Sequence, residues 1–295
     1  MREITVISGK GGTGKTSLVA AFASLAENSV LADCDVDAAD LHLILDPTVI
    51  ERQDFKSGFE VAFDPSWCSG CGECVPVCRF NAVRLEPVED RPEWILPRFD
   101  ELACEGCGAC VDVCLPEAIR LVDKVAGELY VSTTRFGPMV HARLGIAESS
   151  SGKLVSAVRK RAKEIASENG HDIILVDGPP GIGCPVIASL GAVDAALIVS
   201  EPSVSGVHDF ERVAGVCSHF GVSTYAVVNK WDLNPDMTER IERLCTEQGI
   251  GFLGKLPFEP DFVRAMVEKQ SIVEYNDALD INREIKRIWG VLSSE

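Results

Sequence analysis

The chain has no apolar run approaching the roughly 20 residues that a helix needs to cross a bilayer. It also lacks a long run of Lys or Arg. The densest basic stretch, Arg159-Lys160-Arg161-Ala162-Lys163, reads as the solvated face of a helix. With 28 basic against 45 acidic side chains, a net charge of −17 repels phosphate backbones and anionic lipid. Neither a nucleic-acid partner nor stable membrane insertion is therefore expected. Disordered and collagen-like classes are excluded by 46% apolar residues with 25 Gly and 15 Pro among 295. The first residues lead at once into a strand and a glycine loop and leave no room for a cleaved signal, which points to the cytoplasm. In that reducing compartment the 12 cysteines are not expected to form disulfides, and eight of them fall in two tight groups, as metal ligands do.

At about 150 residues per domain, the length gives a prior of two domains, and the composition divides the chain accordingly. Residues 3–8 form a β-branched run, followed by Gly9 to Thr16 and an alanine-rich helical segment from Ser17 to Ala26, which is strand, glycine loop, helix. Val30 to Asp35 reads as a second strand ending in carboxylates, and Ala38 to Leu45 as a short helix. From Gly58 to Asp123 the composition turns to cysteine, proline and glycine, which marks an insert. Beyond it come a strand at Leu129 to Thr133, a helix over 151–168, a buried strand from Asp172 to Asp177, and strand-like runs at 195–200, 224–229 and 251–256 with helical segments between. The alternation predicts a doubly wound α/β domain over 1–57 and 124–295 with a mainly parallel sheet, interrupted by a small α+β domain over 58–123.

The pattern G-x-x-x-x-G-K-[ST] is met by Gly9, Gly14, Lys15 and Thr16 between a strand and a helix. Backbone N–H groups from Gly9 through Ser17, including those of Gly11, Gly12 and Thr13, are placed to bind phosphate oxygens. Lys15 would reach the β and γ phosphates and Thr16 would ligate Mg²⁺. Lys10 is a second lysine that this mechanism does not require. The loop K-G-G-T-G-K-T resembles the deviant Walker A of the MinD/ParA/Mrp ATPases. That resemblance implies ATP as substrate and a Lys10 that contacts nucleotide held by a partner subunit, hence an ATP-dependent homodimer or a heterodimer with a related subunit. It further implies Asp35 as the residue acting on the attacking water, and Asp33 as a support for Mg²⁺. Asp177 would be the Walker B carboxylate, with Gly178, Pro179, Pro180 and Gly181 as switch II. Asn229-Lys230-Trp231-Asp232 matches the guanine-reading N-K-x-D, whereas in the resembled family an Asn here contacts adenine and the Leu256-Pro257-Phe258 segment closes the pocket. ATP is the expected nucleotide.

The insert repeats itself. Cys68, Cys71, Cys74 and Cys78 recur as Cys104, Cys107, Cys110 and Cys114 at an offset of 36 residues (104 − 68 and 114 − 78). In C-x₂-C-x₂-C-x₃-C three thiolates surround one cubane and the fourth ligates the other. Cluster one would take Cys68, Cys71, Cys74 and Cys114, and cluster two Cys78, Cys104, Cys107 and Cys110. Gly70, Gly72, Gly106 and Gly108 let the loops wrap closely. Tetrahedral zinc, the rival, has no need of the third cysteine. The region resembles bacterial ferredoxins with two 4Fe-4S clusters, except that the proline after the fourth Cys is Arg79 in one copy and is displaced to Pro116 in the other. Two such clusters point to an anaerobe or a low-oxygen cell.

Of the other cysteines, Cys34, Cys217 and Cys245 read as small buried hydrophobes. Cys184, seven residues after Asp177, resembles one cluster-binding cysteine of the nitrogenase iron protein, but no second cysteine matches that protein's other ligand, and a structural or interface thiol is expected rather than an intersubunit cluster or metal. His141 reads as a structural histidine. The apolar face of Leu279, Ile281, Ile285, Ile288, Trp289 and Leu292 is expected to pack on the sheet rather than on a membrane. Together the motifs resemble a MinD-superfamily ATPase with an inserted ferredoxin domain. That implies ATP-driven dimer rearrangement coupled to electron transfer, with a redox or iron–sulfur partner protein. The alternative is an iron–sulfur carrier like the Mrp scaffolds, and a partitioning ATPase stands third.

Overall fold

A computed structural model describes residues 1–145 and 151–294. The chain divides into two compact units, one of Met1–Gln53, Glu128–Leu144 and the residues from 151 on, the other of Asp54–Gly127 with Gly145. The second unit is wider at both ends than the change in composition at 58 and 123.

The first unit is built on a nine-stranded sheet. Its strands in chain order are β1 (Arg2–Ser8), β2 (Ser29–Asp33), β3 (Thr48–Phe63), β6 (Ile119–Thr134), β7 (Gly137–Leu144), β8 (Ile173–Pro180), β9 (Ala195–Ser200), β10 (Ser223–Asn229) and β11 (Gly251–Leu256). The spatial order is β11-β10-β9-β1-β8-β2-β7-β6-β3. From β11 to β7 all neighbouring strands pair in parallel. The strands β6 and β7 are joined by only Arg135 and Phe136, a connection short enough for an antiparallel hairpin and not for a crossover.

The central strands are apolar throughout because both faces are covered. Ile4, Val6, Leu197, Val199 and Val227 point to one face. There they meet α1 (Lys15–Leu25) and α10 (Asp280–Ser294), and Phe22 stacks on Trp289 at 5.3 Å between ring centres. Ile281, Ile285, Ile288 and Leu292 of α10 are buried against this core, as their spacing predicts. Ile7, Ala196, Ile198, Ala226 and Val228 point the other way, toward α5 (Cys184–Leu190), α6 (Val204–His219) and α7 (Pro235–Gln248). Cys217 and Cys245 belong to this second core, and Cys34 is buried as well.

Several features escape the sequence reading. The edge strand β3 is polar and largely exposed, so it shows no clean alternation of buried residues. The strand β8 runs past Asp177 to Pro180, where Pro180 pairs with Ser8 across a register shift. Gly178 and the two prolines therefore extend the strand, and Gly181, at φ +91°, makes the turn. The Arg135 guanidinium donates to both oxygens of Glu274 and to the carbonyls of Ile44, Leu45 and Lys269.

The second unit contains the hairpin β4 (Val83–Val88) and β5 (Arg91–Phe99), the single turn α3 (Ala109–Asp112), and portions of β3 and β6. Its core is small: Cys74, Val83, Cys110 and Ile119, with Phe63 and Phe99 packed around them.

Candidate functional site

Parallel strands deliver their C-terminal ends to one edge of the sheet, where α/β proteins bind ligands. Here that edge carries Ser8 of β1, Asp33 of β2, Asp177 of β8, Asn229 of β10 and, just beyond β11, Pro257. The glycine loop joins β1 to α1, whose N-terminus is capped by no side chain; its N-cap Gly14 has φ +89°. A Cβ at Gly9 would lie 2.5 Å from Asp209 Cβ and 2.8 Å from its carbonyl, so that position needs glycine for room, whereas Gly14 needs it for its left-handed φ. The free N–H groups at this helix end suit a phosphate. Thr13 Oγ1, buried without a partner, is a further polar atom in the loop.

Lys15 is buried among three carboxylates. Its ammonium donates to Asp177 Oδ1, lies 3.6 Å from Asp35 Oδ2 and reaches Thr16 Oγ1 at 3.4 Å. Burial alone would lower its pKa, but Asp177 and Asp35 reverse this and hold it above the ordinary lysine value. Burial and the neighbouring Asp177 push the Asp33 carboxyl well above the usual range, and burial pushes Asp35 up against the opposing pull of Lys15. Asp33 and Asp177 are register partners on adjacent strands, and the outer oxygen of each, Oδ2, is buried without a hydrogen-bond partner. Orphaned carboxylate oxygens beside a threonine hydroxyl are a donor set of the hard-oxygen type that Mg²⁺ takes, so the residues fit that ion.

Lys10 points away from this cluster. Its Nζ lies 2.5 Å from Glu201 Oε1, 3.3 Å from Ser203 Oγ and 3.0 Å from Ser205 Oγ. Nothing local in sequence signals these partners.

The N-K-x-D segment is used as a brace. Asn229 Nδ2 donates to the carbonyl of Thr13 at 2.8 Å, and Lys230 Nζ donates to that of Gly12 at 3.0 Å. Asp232 Oδ1 accepts from the backbone N–H of Phe258 at 2.7 Å, which ties the segment to the loop after β11. His141 is not at this site: its ring stacks on Tyr130 and Nε2 hydrogen-bonds Ser132 Oγ at 2.8 Å. Its pKa, pushed down to about 4 by burial and then by His42, keeps it neutral. Cys184, at the start of α5, is exposed.

In the second unit the eight cysteines border two cavities. Cys68, Cys71, Cys74 and Cys114 line one; Cys78, Cys104, Cys107 and Cys110 line the other. Among the described residues, no three or more His, Cys, Asp or Glu side chains are grouped to hold a single metal ion. Four cysteine thiols on one cavity are a soft donor set of the kind that iron–sulfur clusters take, so the residue types fit such a group. Burial, with the neighbouring thiols adding to it, raises Cys74 and pushes Cys110 up to about 11. Gly70, Gly72, Gly106 and Gly108 all have positive φ. A Cβ at Gly106 would lie 2.1 Å from the Phe59 carbonyl oxygen, which makes that position obligate glycine.

A strand–P-loop–helix unit at the carboxyl edge of a parallel sheet, with acidic ends on the flanking strands, defines a P-loop nucleotide-binding protein. The family described as the CobQ/CobB/MinD/ParA nucleotide binding domain matches residues 4–272. The chain belongs to that family and carries its P-loop ATPase domain. It is 35% identical over 240 residues to the uncharacterized protein MJ0578 of Methanocaldococcus jannaschii, covering 79% of each chain. The septum site-determining protein MinD of Pyrococcus horikoshii, solved in complex with Mg-ADP, superposes with a TM-score of 0.55 at 16% identity, over 99% of this chain and 96% of that one. Similarity also extends to a cytosolic Fe-S cluster assembly factor, the NUBP1 homolog of Caenorhabditis elegans, at 27% identity over 123 residues, 36% of this chain and 39% of that one.

Proposed function

We propose that the chain is an ATPase whose nucleotide-dependent dimer rearrangement is coupled to electron transfer through two 4Fe-4S clusters. What carries this reading is the presence, in one chain, of a P-loop site and of two cavities each bordered by four cysteines.

At the nucleotide, the N-terminus of α1 and Lys15 take the β and γ phosphates, with Lys15 exchanging Asp177 for phosphate oxygen. Thr16, Asp33 and Asp177 would hold Mg²⁺, which neutralises phosphate charge. Asp35 accepts a hydrogen bond from the attacking water and orients it. Lys10 leaves Glu201, Ser203 and Ser205 to contact nucleotide on the second subunit. Cys68, Cys71, Cys74 and Cys114 would hold one cluster, and Cys78, Cys104, Cys107 and Cys110 the other. Such clusters supply one-electron redox capacity.

The iron–sulfur carrier reading is favoured by the similarity to the NUBP1 homolog. It ranks second because a carrier needs ligands it can surrender, whereas Cys74 and Cys110 are 7% and 8% exposed and sit in the domain core. The deciding experiment is anaerobic purification with metal analysis. About eight irons per chain and a low-temperature EPR signal after dithionite reduction are expected, since two cubanes hold four irons each. Stoichiometric zinc and EPR silence would sink the proposal.

A further inference from the structure

Asp35 is held differently on its two sides. Toward the N-terminus it continues from β2, and its N–H donates to Asp33 Oδ1 at 3.1 Å. Toward the C-terminus, Ala38 N donates to the Asp35 carbonyl at 3.1 Å and the chain enters α2 (Leu41–Leu45), a helix of five residues. A helix that short does not hold itself together in water, so its place is set by what it touches. Leu41, Ile44 and Leu45 are buried in the core shared with α1, a contact that is apolar and without direction. Direction comes from Arg135. Its Nη1 donates to the Leu45 carbonyl at 2.9 Å and its Nη2 to the Ile44 carbonyl at 3.2 Å, which caps the helix end with a cation. Among the described residues, the other hydrogen bond that leaves residues 36–46 joins Asp46 to Lys269, an exposed pair of the kind that contributes little.

The guanidinium is itself fixed. Its Nε and Nη2 donate to the two oxygens of Glu274 at 2.6 and 2.9 Å, and Nη2 also donates to the Lys269 carbonyl at 3.0 Å. Glu274 is locked in turn by the capping box that opens α9 (Ile272–Tyr275): Ser271 N donates to its Oε2 at 2.8 Å, and Glu274 N donates to Ser271 Oγ at 3.3 Å. Burial would raise the Glu274 carboxyl, but Arg135 and Ser271 outweigh it and hold it below the ordinary value. Serving a carboxylate and three carbonyls at once requires a planar fork of donors, which a lysine does not have.

Resting on the reading of Asp35 as the residue that orients the attacking water, we propose that Arg135 is a positioning residue for hydrolysis. By fixing the end of α2 against α9, it sets where the Asp35 segment stands. It touches no reacting atom. Phosphate is held by the N-terminus of α1 and by Lys15, to which Arg135 makes no hydrogen bond, so its loss falls on turnover and not on binding.

Steady-state hydrolysis of MgATP by the full chain provides the test. Arg135→Gln is expected to lower kcat about tenfold or more, because displacing a reacting group by about 1 Å can cost about 10²-fold, and to leave KM within about twofold of the parent. Arg135→Lys, which keeps the charge and loses the fork, should lose part of that rate. Combined with Asp35→Ala, Arg135→Gln should change the residual rate by less than about twofold, since a residue that acts through Asp35 then has nothing to position. Thermal unfolding checks that each variant is folded, and the Lys variant carries the test where the Gln variant is not. An unchanged kcat in a folded variant, a rise in KM alone, or the same loss with Asp35→Ala as without it would overturn the positioning role and leave the Asp35 reading in place. Undiminished hydrolysis by Asp35→Ala itself would overturn both.

Discussion

Three carboxylates and one ammonium occupy the buried end of the sheet, and their division of labour is testable residue by residue. Lys15→Ala should abolish nucleotide binding, whereas Asp35→Ala should bind ATP and lose turnover by about 10²-fold or more, because the first holds phosphate and the second acts on water. Undiminished hydrolysis by the Asp35 variant would remove that residue from the mechanism. Asp33 gives a different signature. Its folded pKa lies well above the unfolded value of about 3.9, so between the two the folded chain binds more protons than the unfolded one. Stability of the nucleotide-free protein therefore falls as pH rises through that window, and the loss is complete above the folded pKa. In Asp33→Asn, Oδ1 can still accept from Asp35 N, and the buried charge at the unpartnered Oδ2 is removed. This variant should be stabilised without nucleotide by on the order of 1–2 kcal/mol, the gain growing with pH, and should lose Mg²⁺-dependent tightening of ATP binding. Thermal unfolding from pH 5 to 8 measures the first effect, and a gain that is flat with pH would show that Asp33 is not the titrating group.

At the scale of elements, the ends of β10 and β11 bear on base choice. Asp232 is held by the Phe258 N–H and Asn229 by Thr13 and Lys230, so both side chains brace backbone. ATP should be preferred over GTP. Asp232→Ala should weaken both nucleotides by the same factor, about fivefold for one lost hydrogen bond. Comparable GTP affinity in the parent, lost selectively in Asp232→Ala or Asn229→Ala, would show that the guanine-reading likeness was the correct one. The same elements show how far sequence reaches. The strands β1, β8, β9, β10 and β11 were legible because burial on both faces makes each an unbroken apolar run. The strand β3 was not, since an edge strand with charged side chains such as Glu51 and Arg52 carries no such pattern. The P-loop was legible because phosphate chemistry dictates residue type at fixed spacing. The Lys10 contacts with Glu201, Ser203 and Ser205 were not, for they join positions more than 190 residues apart. The two cysteine quartets, interleaved in sequence, were readable only because the repeat supplies both copies of the pattern.

Across the whole molecule, the chain passes from the first unit to the second within β3 and returns within β6, so both covalent connections fall between the Asp35 and Asp177 segments in sequence. The second of them, β6, ends at Thr134, beside the Arg135 that grips the carbonyls of Ile44 and Leu45 at the end of the short helix α2 (Leu41–Leu45) following the Asp35 loop. Nucleotide-dependent movement of that loop thus has a short chain of contacts to one connection. MgATP is expected to promote a dimer through Lys10 and to shift the cluster midpoint potential or the rate of reduction by an external donor. A 59 mV shift in a one-electron couple corresponds to about 1.4 kcal/mol, within the 1–3 kcal/mol typical of coupling between sites. Lys10→Ala should leave iron content intact and remove both the dimer and the shift. Redox titration and sedimentation with MgATP, MgADP and no nucleotide provide the measurement. If potential, reduction rate and association state are identical in all three, the two units share a chain without sharing energy, and the cysteine domain is a passive docking module or an assembly platform.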